Sequence, residues 1–207
     1  MILDLFQLNG RTALVTGARR GLGRGIAVGL AEAGADIACV SRSGEATETR
    51  QQVEAAGRRF LDIQVDLADP DARAGLADRV ADELGPVDIL VNNAGGGGRQ
   101  PAETFSMDIW RHQLEVHLTA SFDLSQQAAA GMLERGRGKI INIGSVMTFQ
   151  GGVDIPAYAS AKHAVAASCA SSRAYLVYIR FRSAHPWVSL YHSIGTQEYL
   201  FSIPELA

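Results

Sequence analysis

The sequence predicts an α/β fold: a doubly wound parallel sheet with helices on both faces, three α/β/α layers deep. Two observations carry this. Short β-rich runs alternate with longer stretches of helical period through about residue 166, the pattern of repeated strand-helix-strand units. A glycine-rich turn, "TGARRGLG" at 16–23, stands between the first of those strands and the first helix. With 207 residues the chain suffices for one domain, read as 1–207, in which 168–207 is an atypical tail.

The elements run in order along the chain. "TALVT" (12–16) is a strand, and "GRGIAVGLAEAG" (23–34) its helix. "DIACV" (36–40) is followed by the helical "GEATETRQQVEAAG" (44–57), then "RFLDIQV" (59–65) by "PDARAGLADRVADELG" (70–85), read as one helix. "VDILVNN" (87–93) is the fourth strand. A long helix is expected from about Met107 to Arg135, where Trp110, Leu114, Leu118, Phe122, Ser125 and Ala129 recur near helical spacing. "KIINIG" is the fifth strand, and a helix starts near Tyr158 after Pro156. "LVYIRF" (176–181) is a possible sixth strand.

Composition excludes several roles. A net charge of −3, with 47% apolar and 20% charged residues, is that of an ordinary globular protein, and no Lys/Arg cluster invites nucleic acid or an anionic membrane. The start, "MILDLFQLNGR", is neither basic nor long enough in apolar residues for a secretion signal, and no run of about 18 apolar residues could span a bilayer. A cytoplasmic location is expected, with Cys39 and Cys169 as reduced, buried small side chains.

The glycine turn has a chemical reading. Glycine lets the chain pass sharply from strand to helix and lets phosphates approach the backbone, where the free N–H groups of a helix start attract negative charge. The spacing T-G-x-x-x-G-x-G resembles that of the short-chain dehydrogenase/reductase family, a Rossmann-type fold. Further motifs then appear in that family's order: "VDL" with Asp66, "NNAG" at 92–95, Ser145, and "YASAK" with Tyr158 and Lys162. The resemblance covers residues 5 to 166. Within the family, "GRRF", "KIINI" and "FQGG" are most similar to sugar-acid enzymes of the 2-dehydro-3-deoxy-D-gluconate 5-dehydrogenase, 2-deoxy-D-gluconate 3-dehydrogenase and gluconate 5-dehydrogenase type.

The resemblance implies that Thr16, Gly17, Gly21, Leu22 and Gly23 hold the pyrophosphate of a nicotinamide cofactor. It implies that Asp66 and Leu67 face the adenine, and that Asn92, Ala94 and Gly95 line the ribose side. The choice between NADP and NAD turns on the second strand, which ends "ACVSRS" where NAD-preferring folds usually carry an acid. Ser41 and Arg42, with Arg20 from the glycine turn, form a fork of donors suited to a 2'-phosphate, so NADP is favoured. Two solvated arginines and an NAD preference are the other reading.

Tyr158 and Lys162 are four apart and share one helix face. A phenol is a poor base near neutral pH, and a neighbouring ammonium favours its ionised form. Tyr158 is therefore read as general acid/base for hydride transfer between cofactor and a carbonyl or hydroxyl carbon, with Ser145 orienting the same oxygen and Lys162 also holding the nicotinamide ribose. One position departs from the family: "LEVHLTASF" places His117 where an asparagine usually supports proton relay. His117 is either a substitute relay or a hydrogen-bonded core histidine. His112, His163, His185 and His192 have no metal-site spacing. For a sugar-acid substrate, Arg99 is the candidate cation for the carboxylate and Gln150 a partner for hydroxyls, while glycines 95–98 suggest a loop that orders on binding.

After Ser168 the family's Pro-Gly turn, lid and last strands are not recognisable, so the resemblance implies a fold that is C-terminally incomplete, and seven of the fourteen aromatic residues crowd into the last forty positions. The tail is read as foreign to the fold, as from a frameshift or altered transcript. Two functions of different class remain. One is an NAD(P)-dependent oxidoreductase of keto or hydroxy sugar acids, with a 3-oxoacyl carrier-protein reductase as the neighbouring substrate assignment. The other is a cofactor-binding, catalytically silent interaction protein. The resemblance also implies a homo-oligomer, dimer or tetramer, formed through the long helices.

Overall fold

The structure, a computed structural model, describes residues 6–170 and the backbone of 175–181, 186–194 and 197–201. The elements are β1 (Thr12–Thr16), α1 (Gly21–Glu32), β2 (Asp36–Ser41), α2 (Thr47–Ala55), β3 (Phe60–Gln64), α3 (Pro70–Arg73), α4 (Leu76–Leu84), β4 (Val87–Asn92), α5 (Met107–Leu114), a π turn (Glu115–Thr119), α6 (Ala120–Glu134), β5 (Lys139–Ile143), a short 3-10 turn (Val146–Thr148), α7 (Pro156–Ala170), β6 (Tyr175–Phe181), β7 (Pro186–Ile194) and β8 (Gln197–Phe201). They group into two compact units, Met1–Ala94 with Ala120–Ile140, and Gly95–Thr119 with Ile141–Ala207.

In the first unit the strands lie in the order β3, β2, β1, β4, and β1 pairs in parallel with both β2 and β4. Strands β1, β2 and β4 are buried along their whole length, which is why they read as nearly continuous apolar runs. Alternate side chains go to opposite faces. Leu14, Ala38, Val40 and Leu90 meet Leu76 and Val80 of α4 and Leu124 and Ala128 of α6. Ala13, Val15, Ile37 and Cys39 are fully buried on the other face, where α1 buries Ala27 and Ala31. The result is the expected three-layer, doubly wound arrangement.

Three sequence readings change in detail. The stretch 70–85 is two helices, because Ala74 is extended and Gly75 is left-handed at φ 66°, so the chain turns before α4 begins. Asp69 caps the first of them by accepting from the N–H groups of Asp71 and Ala72. The expected helix from Met107 to Arg135 is present but contains the π turn, and its buried positions differ from the predicted stripe. They are Gln113 and His117 before Ala120, then Ala120, Leu124, Ala128 and Met132, while Phe122 is 53% exposed. An extra residue in a turn rotates the helix beyond it, an effect that spacing alone does not reveal.

In the second unit β5 pairs in parallel with β6, and β6, β7 and β8 continue antiparallel. The possible strand 176–181 is thus part of β6. The reading of 168–207 as foreign to the fold rests on residues that include 171–174, 182–185, 195–196 and 202–207, which lie outside the described residues, as do the side chains of His185 and His192.

The strand starts carry buried carboxylates with arginine partners. Asp36 accepts from Arg58 Nε and Nη2 and from the backbone N–H and Nε of Arg59, at 2.8–3.0 Å. Burial alone would raise its carboxyl, but these donors outweigh burial and hold it below the ordinary carboxylate value. A depressed folded value means stability that is present above about pH 4 and lost as pH falls further. Asp36→Asn should therefore cost about 2 kcal/mol at neutral pH and flatten the acid limb of the stability curve below about pH 4, read by urea unfolding across pH.

Candidate active site

The strand order reverses between β1 and β4, and in open α/β sheets ligands bind at the carboxyl ends of the strands at such a point. Those ends are joined by one hydroxyl. Thr16 Oγ1 donates to the Val91 carbonyl at 3.2 Å and accepts from the N–H groups of Asn93 and Ala94, both at 2.9 Å. Asn93 Nδ2 donates back to the Thr16 carbonyl at 2.9 Å. The glycine turn is packed against this junction. A Cβ on Gly17, at φ 69°, would lie 2.9 Å from Ala94 Cα, and one on Gly23 would collide with Asn93 Nδ2 and the Gly17 carbonyl. Gly21 differs, with φ 58° and open space around it. On the far side Thr49, fully buried, donates from its hydroxyl to the Ala18 carbonyl at 2.8 Å.

This bracing leaves the start of α1 open. Arg20 stands at its N-cap without a side-chain cap, and no acid lies in the first turn. The uncapped N–H groups and the helix dipole together favour an anion. At the end of β2, Ser41 is 8% exposed and its Oγ has no hydrogen-bond partner, while Arg20 and Arg42 are exposed and enter no ion pair among the described residues. Gln64 Nε2 donates to the Arg42 carbonyl at 3.2 Å, fixing that turn. Asp66 is half-buried and accepts from the Ala68 N–H. Leu67 packs into the core and its carbonyl accepts from Arg73, so only its backbone is left for a ligand. Asn92 Nδ2 donates to the Ser121 carbonyl and to Ser125 Oγ, tying β4 to α6. Leu22 is 40% exposed at the mouth of the turn. An open helix start, an orphan hydroxyl and two uncommitted guanidinium groups fit a phosphate-bearing dinucleotide.

The second unit brings Ser145, Tyr158, Lys162 and His117 together. Ser145 caps the 3-10 turn: its Oγ accepts from the Met147 N–H at 3.2 Å, and its own N–H donates to Thr148 Oγ1 at 3.1 Å. That fixes the hydroxyl and leaves its hydrogen to donate elsewhere. The 3-10 turn packs against α7, which carries Tyr158 and Lys162 one turn apart. Lys162 is 5% exposed, donates from Nζ to the Ile143 carbonyl at 2.6 Å, and sits 5.8 Å from the Tyr158 ring centre. Burial pushes its ammonium down to about 8.

His117, 3% exposed in the π turn, stands edge to face with Tyr158 at 5.2 Å between ring centres and 80° between planes. Its Nε2 lies 2.8 Å from the Gly96 carbonyl and 3.3 Å from the Gly96 N–H, so Nε2–H donating to the carbonyl is the stronger assignment. Burial first, then the Lys162 charge, pushes the imidazole down to about 4 against the opposing Gly96 hydrogen bond. The side chain is neutral near pH 7.

The predicted substrate contacts sit on neighbouring loops of the same unit. Arg99 and Gln150 are both exposed, and the Gln100 N–H donates to the Asp154 carbonyl at 3.0 Å, joining their two loops. Gly95 comes directly after the "NNA" turn, and its run of glycines is anchored at two points, Gly96 by His117 and Gly98 by Gln113 Nε2 at 3.5 Å. Sequence reasoning passed over Asn93, Thr49 and Gln113. Asn93 stood in view within "NNAG", whereas Thr49 and Gln113 lie mid-helix without any motif to mark them. Cys39 and Cys169 are buried thiols outside any disulfide, both pushed up by burial, Cys39 to about 12. Among the described residues no cluster of three or more His, Cys, Asp or Glu side chains could hold a metal, and no helix is long and apolar enough to cross a membrane.

The profile of the short chain dehydrogenase family matches residues 11–184, beyond the point where motifs fade from view. A 2-dehydro-3-deoxy-D-gluconate 5-dehydrogenase of Bacillus subtilis is 49% identical over 165 residues, covering 79% of this chain and 64% of that protein. A gluconate 5-dehydrogenase of Gluconobacter oxydans is 40% identical over 163 residues, covering 78% and 64%. A solved structure of a candidate 2-deoxy-D-gluconate 3-dehydrogenase from Agrobacterium tumefaciens with bound NADP superposes with a TM-score of 0.71 at 43% identity, covering 79% of this chain and 64% of that one. The chain thus spans just under two thirds of the length of these relatives.

The geometry yields two expected outcomes. Gly23→Ala should lower stability by about 2 kcal/mol, seen as a fall in melting temperature, because the backbone carbonyl it meets has nowhere to go. Because the folded value of His117 is depressed, its contribution is present above the unfolded value near 6.5 and is lost as pH falls toward 4. His117→Asn should remove that part of the pH dependence between about 6.5 and 4 in unfolding titrations.

Proposed function

The chain belongs to the short-chain dehydrogenase family, and from that premise we propose that it is an NAD(P)-dependent oxidoreductase acting on a keto or hydroxy sugar acid of the gluconate type. The observation that carries the reading is the buried Lys162 ammonium beside the ring of Tyr158, with the Ser145 hydroxyl fixed by its turn.

When bound, the nicotinamide cofactor supplies or takes up a hydride at the substrate carbon. In the reductive direction the Ser145 O–H donates to the substrate carbonyl oxygen and holds it in place. As the carbon gains its hydrogen, the carbonyl π pair moves onto that oxygen and the Tyr158 O–H proton passes to it. Lys162 stabilises the phenolate left behind, and the reverse path oxidises an alcohol. Arg99 pairs with the substrate carboxylate and Gln150 with hydroxyls.

Thr16, Gly17, Gly21, Leu22 and Gly23 hold the pyrophosphate on the open start of α1, Asp66 and the Leu67 backbone meet the adenine, and Asn92, Ala94 and Gly95 line the ribose side. NADP is favoured over NAD by the orphan Ser41 Oγ beside Arg42 and by the uncommitted Arg20. The candidate 2-deoxy-D-gluconate 3-dehydrogenase solved with NADP supports the same choice. The two buried thiols support a cytoplasmic setting, and exposed Phe122 and Leu133 on α6 offer apolar contact for a second copy.

Titration with NADPH and NADH, then assay with 5-ketogluconate and with 2-dehydro-3-deoxy-D-gluconate in the oxidative direction, tests the reading. Turnover should fall at least about 100-fold in Tyr158→Phe with cofactor binding kept. Arg42→Ala should weaken NADPH binding about tenfold or more and leave NADH unaffected. Cofactor binding without any turnover points instead to the silent, cofactor-binding protein.

A further inference from the structure

We propose that His117, with Gln113, is a positioning residue: the pair clamps the glycine run 95–98 to α5 and the π turn, and the His117 ring sets the place of Tyr158. The proposal rests on the reading of Tyr158 as acid/base.

Four observations within the second unit converge on it. Gln113 and His117 are four positions apart and equally buried, at 3% exposure, an unusual place for two polar side chains on one helical face. Each reaches the same loop by a carbonyl, Gln113 at Gly98 and His117 at Gly96. Between those anchors a Cβ at Gly96 or Gly97 would meet nothing, so the run is open there. At Gly95 the fit is closed, because a Cβ there would run into the imidazole at Cε1, Nδ1 and Nε2. The glycine of "NNAG" is thus required by the histidine ring. The opposite contact of that ring is the edge-to-face packing on Tyr158. One side chain therefore touches both the loop that leads into Arg99 and the phenol that moves the proton.

The same geometry argues against a relay. Nε2–H is committed to the Gly96 carbonyl, and the charged or titratable groups that bear on the ring are Lys162 and Tyr158 from α7 and His112 from α5. Lys162 and His112 both oppose a second positive charge. Displacing a reacting group by about 1 Å can cost roughly 100-fold in rate, so holding Tyr158 in place matters without any proton passing through the imidazole.

The test uses the full chain labelled with tyrosine carrying carbon-13 at Cζ, with Tyr158 assigned from its absence in Tyr158→Phe. His117→Ala should move the Tyr158 resonance and raise hydrogen exchange of amides 95–98 at least tenfold, with exchange across 12–41 unchanged. His117→Asn should restore loop protection, since its amide can donate to Gly96, without restoring the resonance. Gln113→Met should loosen only the Gly98 end. In turnover of 5-ketogluconate, kcat of His117→Ala should fall about 100-fold with the cofactor KM within about threefold, and the midpoint of the kcat–pH profile should not move. Unchanged exchange and resonance in His117→Ala would overturn the proposal, as would loss in His117→Asn of a kinetic limb between pH 5 and 7. If Tyr158→Phe keeps its turnover, the acid/base reading falls separately, and the exchange data still decide the clamp.

Discussion

A single hydroxyl joins the strand ends at which the sheet reverses its order. Thr16 Oγ1 uses its whole capacity, one hydrogen donated to Val91 and two amide donors accepted from Asn93 and Ala94. With β1 and β4 locked tip to tip, Asn93 can reach across to the Thr16 carbonyl, and the glycine turn after β1 has only the space left by Asn93 and Ala94. Gly17 and Gly23 are glycines because that space is too small for a methyl group. The compact turn in turn delivers α1 with no side-chain cap and no acid in its first turn, an arrangement that in general favours a negative charge.

The second unit is organised around a charge taken out of water. Lys162 keeps one donor on the Ile143 carbonyl at the end of β5, and that bond fixes α7 against the strand that leads into Ser145. Burying an ammonium is costly unless it is paired or hydrogen-bonded, and the hydrogen bond to Ile143 offsets part of that cost. The side chain one turn earlier is Tyr158, whose ring centre lies 5.8 Å from the Lys162 Nζ. His117 completes the enclosure from the other side as a neutral ring, and its hydrogen bond to Gly96 extends the enclosure into the glycine run.

Much of this was legible in the sequence because it is written in residue types at fixed spacing. Fully buried parallel strands leave apolar runs, so β1, β2 and β4 were found within a residue or so. Tyr158 and Lys162 share a face because of the four-residue period of a helix. What stayed hidden depends on partners far apart in the chain. The break at Gly75 needed a left-handed φ that the periodic pattern masked, and in α5 the buried position is Gln113 rather than Trp110 or Leu114, while the π turn that follows carries the buried His117. Thr49, Asn93 and Gln113 matter through single hydrogen bonds to carbonyls whose positions no spacing rule gives. The glycines of the first turn were read for the sharp turn and for phosphate approach, whereas two of the three are also demanded by their own neighbours.

The most direct measurement of the central claim is isotope transfer. The purified chain is incubated with 5-ketogluconate and NADPH deuterated at each nicotinamide C4 position in turn, and the sugar-acid product is weighed by mass spectrometry. Direct hydride transfer at a site built from Ser145, Tyr158 and Lys162 predicts product one mass unit heavier with one of the two labelled cofactors and unlabelled product with the other. No reduced product while NADPH is bound, or product that never carries the label, would contradict the account.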